Sequence, residues 1–223
     1  MSLRSEDLFL TLSDEVKFDF SQNPFWWPEF GTFWVVIGAI LTQNTKWQNV
    51  KKALDNLQNA NVNCLEDIAN LDELSLAELI KPSGFYNTKA KRLSNLAKNI
   101  ISKFESFDEF KKQVSRKWLI AQKGLGLESV DSILCYACER EIMVVDNYTL
   151  KIFEFLDYSF DSYDEAREWL ENIDRDAVYA KFGAISDNEI FAKFHGLIVE
   201  FCKTRLKSKV FDDVAASLLK KLS

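Results

Sequence analysis

Asp146 is the residue of this 223-residue chain best placed to do chemistry. It ends the apolar segment Val144-Val145 and precedes a helical pattern through Thr149 and Leu150. A carboxylate there can stabilise a cation forming beside it and orient a water for attack. An N-cap for the following helix would equally explain an aspartate at this position, and the two roles are compatible because capping fixes a carboxylate. Upstream lies Lys123-Gly124-Leu125-Gly126, whose glycines permit backbone conformations closed to other residues. Amides of such a turn, and of a helix starting near Leu127, can approach an anion closely, and a phosphodiester is the natural guest. A third group is aromatic: Phe25, Trp26, Trp27 and Trp47, with Pro28. Indole faces attract a cation by ~0.5 to 2 kcal/mol depending on desolvation. Aromatic runs also fill cores, and at least two of these residues are expected to do so.

These groups must be held by helices. Leu127, Val130, Leu134, Ala137 and Cys138 recur at helical spacing, predicting a helix over 127–139 that separates the glycine turn from Asp146. Ala90, Leu93, Leu96, Ala97, Ile100 and Ile101 form one stripe over 88–104. Further helices are read over 32–43, 46–58, 64–70, 75–81 and 107–122, the last capped by Ser106 or Asp108, with several more after 148. Strand signals are nearly absent, so the chain is read as all-α. A 47% hydrophobic content with 18 Phe and 6 Trp can furnish a sizeable core, and 7 Gly with 3 Pro leave little room for linkers.

The net charge of −6 argues at first against a nucleic-acid partner. Phosphate interactions are local, however, and screened within about 8 Å. Lys81, Lys89, Lys91, Arg92, Lys98 and Lys103 lie between Leu79 and Phe104 with no acid among them, and Lys203 to Lys209 adds four more basic residues. Nine acids fall between Glu154 and Asp176. Cys64, Cys135, Cys138 and Cys202 are scattered and read as buried thiols. The apolar run Phe33 to Leu41 is far below the ~20 residues of a membrane helix, and no charged, apolar leader opens the chain. A cytoplasmic protein with no membrane partner is expected.

Gly124-Leu125-Gly126 and Val144-Val145-Asp146 together resemble the hairpin and the catalytic aspartate segment of helix-hairpin-helix DNA glycosylases of the endonuclease III superfamily. Two further blocks fit: Ala39-Ile40-Leu41-Thr42-Gln43-Asn44-Thr45, and Ser83-Gly84-Phe85-Tyr86-Asn87 with Lys89-Ala90-Lys91. Trp26-Trp27-Pro28, the Thr-Gln-Asn-Thr run and Phe194-His195-Gly196 look like the 3-methyladenine DNA glycosylase III branch. The resemblance implies a two-lobed fold, with a central lobe of residues 36–146, a second lobe of 1–35 plus 147–223, and the active site in the cleft between them. It implies DNA contacts from Lys123, Gly124, Leu125 and Gly126, and a Gln43 that fills the gap left by a flipped base.

Bifunctional relatives carry a lysine two residues after the second hairpin glycine, and this chain has Glu128 there. A carboxylate cannot form the Schiff base, so a monofunctional enzyme is expected, leaving an abasic site for a downstream AP endonuclease. Alkylated purines are the implied substrates, with 3-methyladenine foremost and damaged double-stranded DNA as partner. Phe25, Trp26, Trp27, Pro28 and Trp47 would wall the base pocket. Lys203 would reach it too, and beside a cationic base it would need neutralising by burial, by Glu200 or by a covalent change such as carbamylation. Only Cys202 follows Asp146, so no iron-sulfur cluster is expected where relatives hold one. No other cofactor and no metal is expected, and the protein is read as a monomer. His195, the single histidine, makes neither a zinc site nor a triad and is read as structural. The alternatives are a bifunctional glycosylase/AP lyase for oxidised bases and a non-catalytic helix-hairpin-helix DNA-binding protein.

Overall fold

The computed structural model describes residues 3–222. The chain is mainly helical and divides into two compact units, Glu29–Glu139 and Met1–Pro28 with Arg140–Ser223. Both junctions lie seven residues before the bounds of 36 and 146 that the resemblance implies. The segment leading to Asp146 goes with the terminal unit because Met143 and Val145 join that unit's core, beside Leu8, Phe9, Ile152 and Phe194.

The central unit is built on the helix Phe33–Leu41. Every residue from Val35 to Leu41 is buried, as a helix that is apolar all round must be. Around it pack the helices Trp47–Asn59, Tyr86–Phe104 and Leu127–Ser132. Thr32 starts the central helix by accepting the Trp34 amide. Tyr86–Phe104 buries the expected stripe, including Ala90, Leu93, Leu96, Ala97 and Ile100.

One helix read as continuous is divided, and another changes pitch without a break. Residues 107–122 form Phe107–Gln113 and Arg116–Ile120, because Ser115 caps the second by accepting the Trp118 amide. Ser106 caps the first. Beyond Ser132 the backbone widens into a π-helical turn over Ile133–Ala137, where the Cys138 amide donates to the Ile133 carbonyl at 3.0 Å.

The terminal unit is organised by Asp187–Arg205, whose buried residues include Ile190, Phe191, Phe194, Leu197, Ile198 and Phe201. Phe9, from the helix Ser5–Glu15, meets Phe194 edge-on with centroids 5.2 Å apart. The helix Asn147–Phe155 packs on the same long helix. An antiparallel pair, Leu206–Lys207 with Val210–Phe211, is the exception to an otherwise helical reading. Ser208 and Lys209 both have positive φ, as its two-residue turn requires. Among the described residues no helix is long and apolar enough to cross a membrane.

Candidate functional site

In the terminal unit, Asp146 is the N-cap of Asn147–Phe155. Its Oδ1 accepts the Thr149 amide at 2.8 Å and the Thr149 hydroxyl at 2.9 Å. The cap occupies one carboxylate oxygen and sets the plane of the group. The other oxygen, Oδ2, lies 3.7 Å from His195 Nε2, too long for a hydrogen bond but close enough to act on the carboxylate electrostatically. Asp146 is 9% exposed. Burial pushes its pKa up, but His195 and the Thr149 bonds outweigh that and hold the carboxyl below its ordinary value. The result is a desolvated, oriented carboxylate that stays charged.

Trp26 stands beside the same histidine, edge to face with ring centroids 5.3 Å apart. Its backbone has φ 66°, a left-handed conformation that costs a bulky residue energy and recurs at functional sites. The loop holds that conformation because Asn23 Nδ2 donates to the Trp26 carbonyl at 2.6 Å. On the long helix, a Cβ at Gly196 would stand 2.4 Å from Trp26 Cγ, so only glycine admits the indole there. Glu200 Oε1 accepts the indole Nε1–H at 3.1 Å and Lys203 Nζ at 3.0 Å. The Lys203 ammonium lies 5.4 Å from the Trp26 ring centroid.

The other aromatics differ in burial and in the unit that holds them. Trp27 is 7% exposed and belongs to the core, meeting Trp26 only edge-on at 6.0 Å. Phe25 is half-buried and Pro28 is exposed next to them. Trp47, half-buried, begins a helix of the central unit instead. Lys203 is not buried: its side chain is exposed, and Glu200 pairs with it. His195 has no acid beside it in the sequence, but in space Asp146 stands against it.

In the central unit, the turn after Arg116–Ile120 leads through Lys123-Gly124-Leu125-Gly126 into Leu127–Ser132. Arg116 clamps these two helices by a bidentate pair with the fully buried Asp131, at 2.7 and 3.0 Å. Gly124 has φ +92°, and a Cβ there would lie 2.4 Å from Arg92 Cδ. Gly126 is different. Its extended backbone, φ −88° and ψ 170°, is open to any residue, and nothing lies within 4 Å of where a Cβ would be. Only Gly124 therefore needs to be glycine for conformational reasons. Lys123 is exposed, and Leu125 is half-buried with its amide donating to the Gln122 carbonyl at 3.3 Å.

Gln43 is joined to this turn. Its Nε2 donates to the Gly124 carbonyl and to Ser129 Oγ, each at 3.0 Å, and its Oε1 accepts Arg92 Nη1 at 2.9 Å. Lys89 is not on the solvated basic face. It is 2% exposed, and Nζ donates to the Leu41 carbonyl at 2.7 Å, Thr45 Oγ1 at 2.7 Å and the Ser83 carbonyl at 2.8 Å. Those bonds tie both ends of the loop carrying Gln43 to the 3₁₀ turn Lys81–Ser83. After that turn Phe85, with φ 47°, is 73% exposed. Among the described residues no group of three or more His, Cys, Asp or Glu could hold a metal.

A family model described as HhH-GPD superfamily base excision DNA repair protein matches residues 37–174. A Methanocaldococcus jannaschii protein described as a DNA repair glycosylase is 39% identical over 207 residues, covering 89% of each chain. Among solved structures, the 3-methyladenine DNA glycosylase MagIII of H. pylori, bound to 1,N6-ethenoadenine, is similar with a TM-score of 0.84 and 41% identity, over 92% of this chain and 100% of that one. An endonuclease III in a trapped covalent complex with DNA shares the fold at a TM-score of 0.69 and 17% identity, over 94% of this chain and 91% of that one.

Proposed function

The chain belongs to the HhH-GPD superfamily of base excision DNA repair proteins, and on that premise we propose that it excises alkylated purines, 3-methyladenine foremost, from damaged duplex DNA by hydrolysis alone. That it is a DNA glycosylase follows from the family; the substrate and the mechanism are the proposal. Its main support is the pairing of a buried carboxylate that stays charged, Asp146, with an indole in a strained conformation, Trp26, both against His195. The likeness to MagIII favours the same substrate class.

A positively charged base departs as a neutral molecule and needs little acid catalysis. The sugar it leaves behind is cation-like, and the negative charge of Asp146 stabilises it most effectively in a desolvated site. The same carboxylate orients the attacking water. Trp26 offers a π face to the charged base, and Lys203, held by Glu200 at 5.4 Å from the ring centroid, must give way from that face. The glycine turn, with Lys123, grips a phosphate, and Gln43 fills the space behind the flipped nucleotide. Glu128 stands where a Schiff-base lysine would be needed, so the abasic product passes intact to an AP endonuclease. The reading uses no iron-sulfur cluster, since only Cys202 follows Asp146 in the sequence, and it treats the protein as a cytoplasmic monomer.

Incubation with a duplex carrying one 3-methyladenine tests it. Free base should be released, the strand should stay intact until alkali is added, and borohydride should trap no covalent complex. A trapped complex would establish a lyase, and no base release would leave a binding module.

A further inference from the structure

We propose that Gln43 is a positioning residue for the glycine turn: before DNA is bound, its side-chain amide braces the turn against Ser129 and Arg92. The inference rests on the reading of that turn as the phosphate grip and adds a role distinct from filling the DNA stack. One amide makes three bonds, two donated through Nε2 and one accepted at Oε1. That engages the hydrogen-bonding sides of both polar atoms. The Gly124 carbonyl it holds belongs to the residue with left-handed φ, where the chain reverses. A carbonyl fixed at that point fixes the peptide plane that follows. Arg92 closes the network from the other side, its side chain packed where a Cβ of Gly124 would be. Lys89 holds the loop that presents Gln43 by bonds to Leu41 and Thr45.

The arrangement makes bracing and insertion alternatives, because an amide hydrogen-bonded to an orphaned base cannot also hold Gly124 and Ser129. Gln43 thus couples the grip on phosphate to the filling of the gap. Gln43→Ala should open the turn, so exchange of the Leu125 amide should quicken by about tenfold, the worth of one to two hydrogen bonds. Affinity for undamaged duplex DNA should fall by a similar factor. Ser129→Ala, which leaves Gln43 free to insert, should shift both readouts in the same direction by less. Adding it to Gln43→Ala should change nothing further.

Unchanged Leu125 exchange in a folded Gln43→Ala protein overturns the proposal. So does a Ser129→Ala protein indistinguishable from the parent in both readouts. Faster exchange with unchanged affinity for undamaged duplex upholds the brace and instead refutes the turn as phosphate grip.

Discussion

His195 Nε2 faces Asp146 Oδ2 across 3.7 Å, while the other oxygen of the same carboxylate is held by Thr149. The two contacts divide the labour: Thr149 fixes orientation, and His195 opposes the effect of burial on charge. His195→Gln removes that opposition, so burial should raise the Asp146 pKa. The acid limb of the single-turnover excision profile should move toward neutral pH in the variant. An unmoved limb would show that His195 does not act through the carboxylate. The stability consequence has a definite sign. A carboxyl held below its ordinary value stabilises the fold above that value and loses the contribution as pH falls through the lowered one. In His195→Gln, acid unfolding should therefore begin at a higher pH.

The two adjacent tryptophans should separate by phenotype. Trp26→Leu removes a ring half-open to solvent, and the loss of excision should be greater for 3-methyladenine than for a neutral purine lesion of similar shape. Trp27→Leu removes a core ring, so it should lower stability by about 2 kcal/mol with an equal proportional effect on both lesions. Excision of paired charged and neutral lesions, after thermal melts of each variant, tests the division.

The glycines should separate in the same way. Gly124→Ala demands a left-handed alanine and displaces Arg92, costing about 1 to 3 kcal/mol of stability. Gly126→Ala should melt within ~0.5 kcal/mol of the parent. Any weakening of DNA binding by Gly126→Ala would then report on the approach of a phosphate rather than on folding. Denaturant midpoints and duplex titrations of the two variants check this.

Lys89 supplies a further test, since Lys89→Met leaves three acceptors without their donor and should cost about 3 kcal/mol. Burial, then Arg92, pushes the Lys89 pKa down to about 8 from 10.5. Between those values the unfolded chain binds more protons than the folded one, so the lysine contribution to stability grows as pH rises. The gap in denaturant midpoint between the parent and Lys89→Met should accordingly widen from pH 8 to pH 10.

Legibility followed range along the chain. The start of the helix at Asp146, the buried helix around Ile37 and the turn at Gly124 are local patterns, readable from residue type and period. The break at Ser115 and the change of pitch after Ser132 were less so, because neither a cap nor a π turn disturbs the apolar spacing. The partners of the site residues were not legible. Asp146 and His195, Trp26 and Glu200, and Gln43 and Ser129 are brought together by tertiary packing, with nothing adjacent in sequence to announce them. Lys89 illustrates the converse. Composition groups it with a solvated basic run, but it is the buried clamp on the loop of Gln43.

The most direct test of the account is single-turnover release of 3-methyladenine from duplex DNA by Asp146→Asn. Asparagine keeps an oxygen for the Thr149 amide and so keeps the cap, while removing the negative charge. Excision should fall by about two to four orders of magnitude, with lesion-duplex affinity and melting temperature close to those of the parent. Excision at a near-parental rate by the folded variant would contradict the assignment of the chemistry to Asp146.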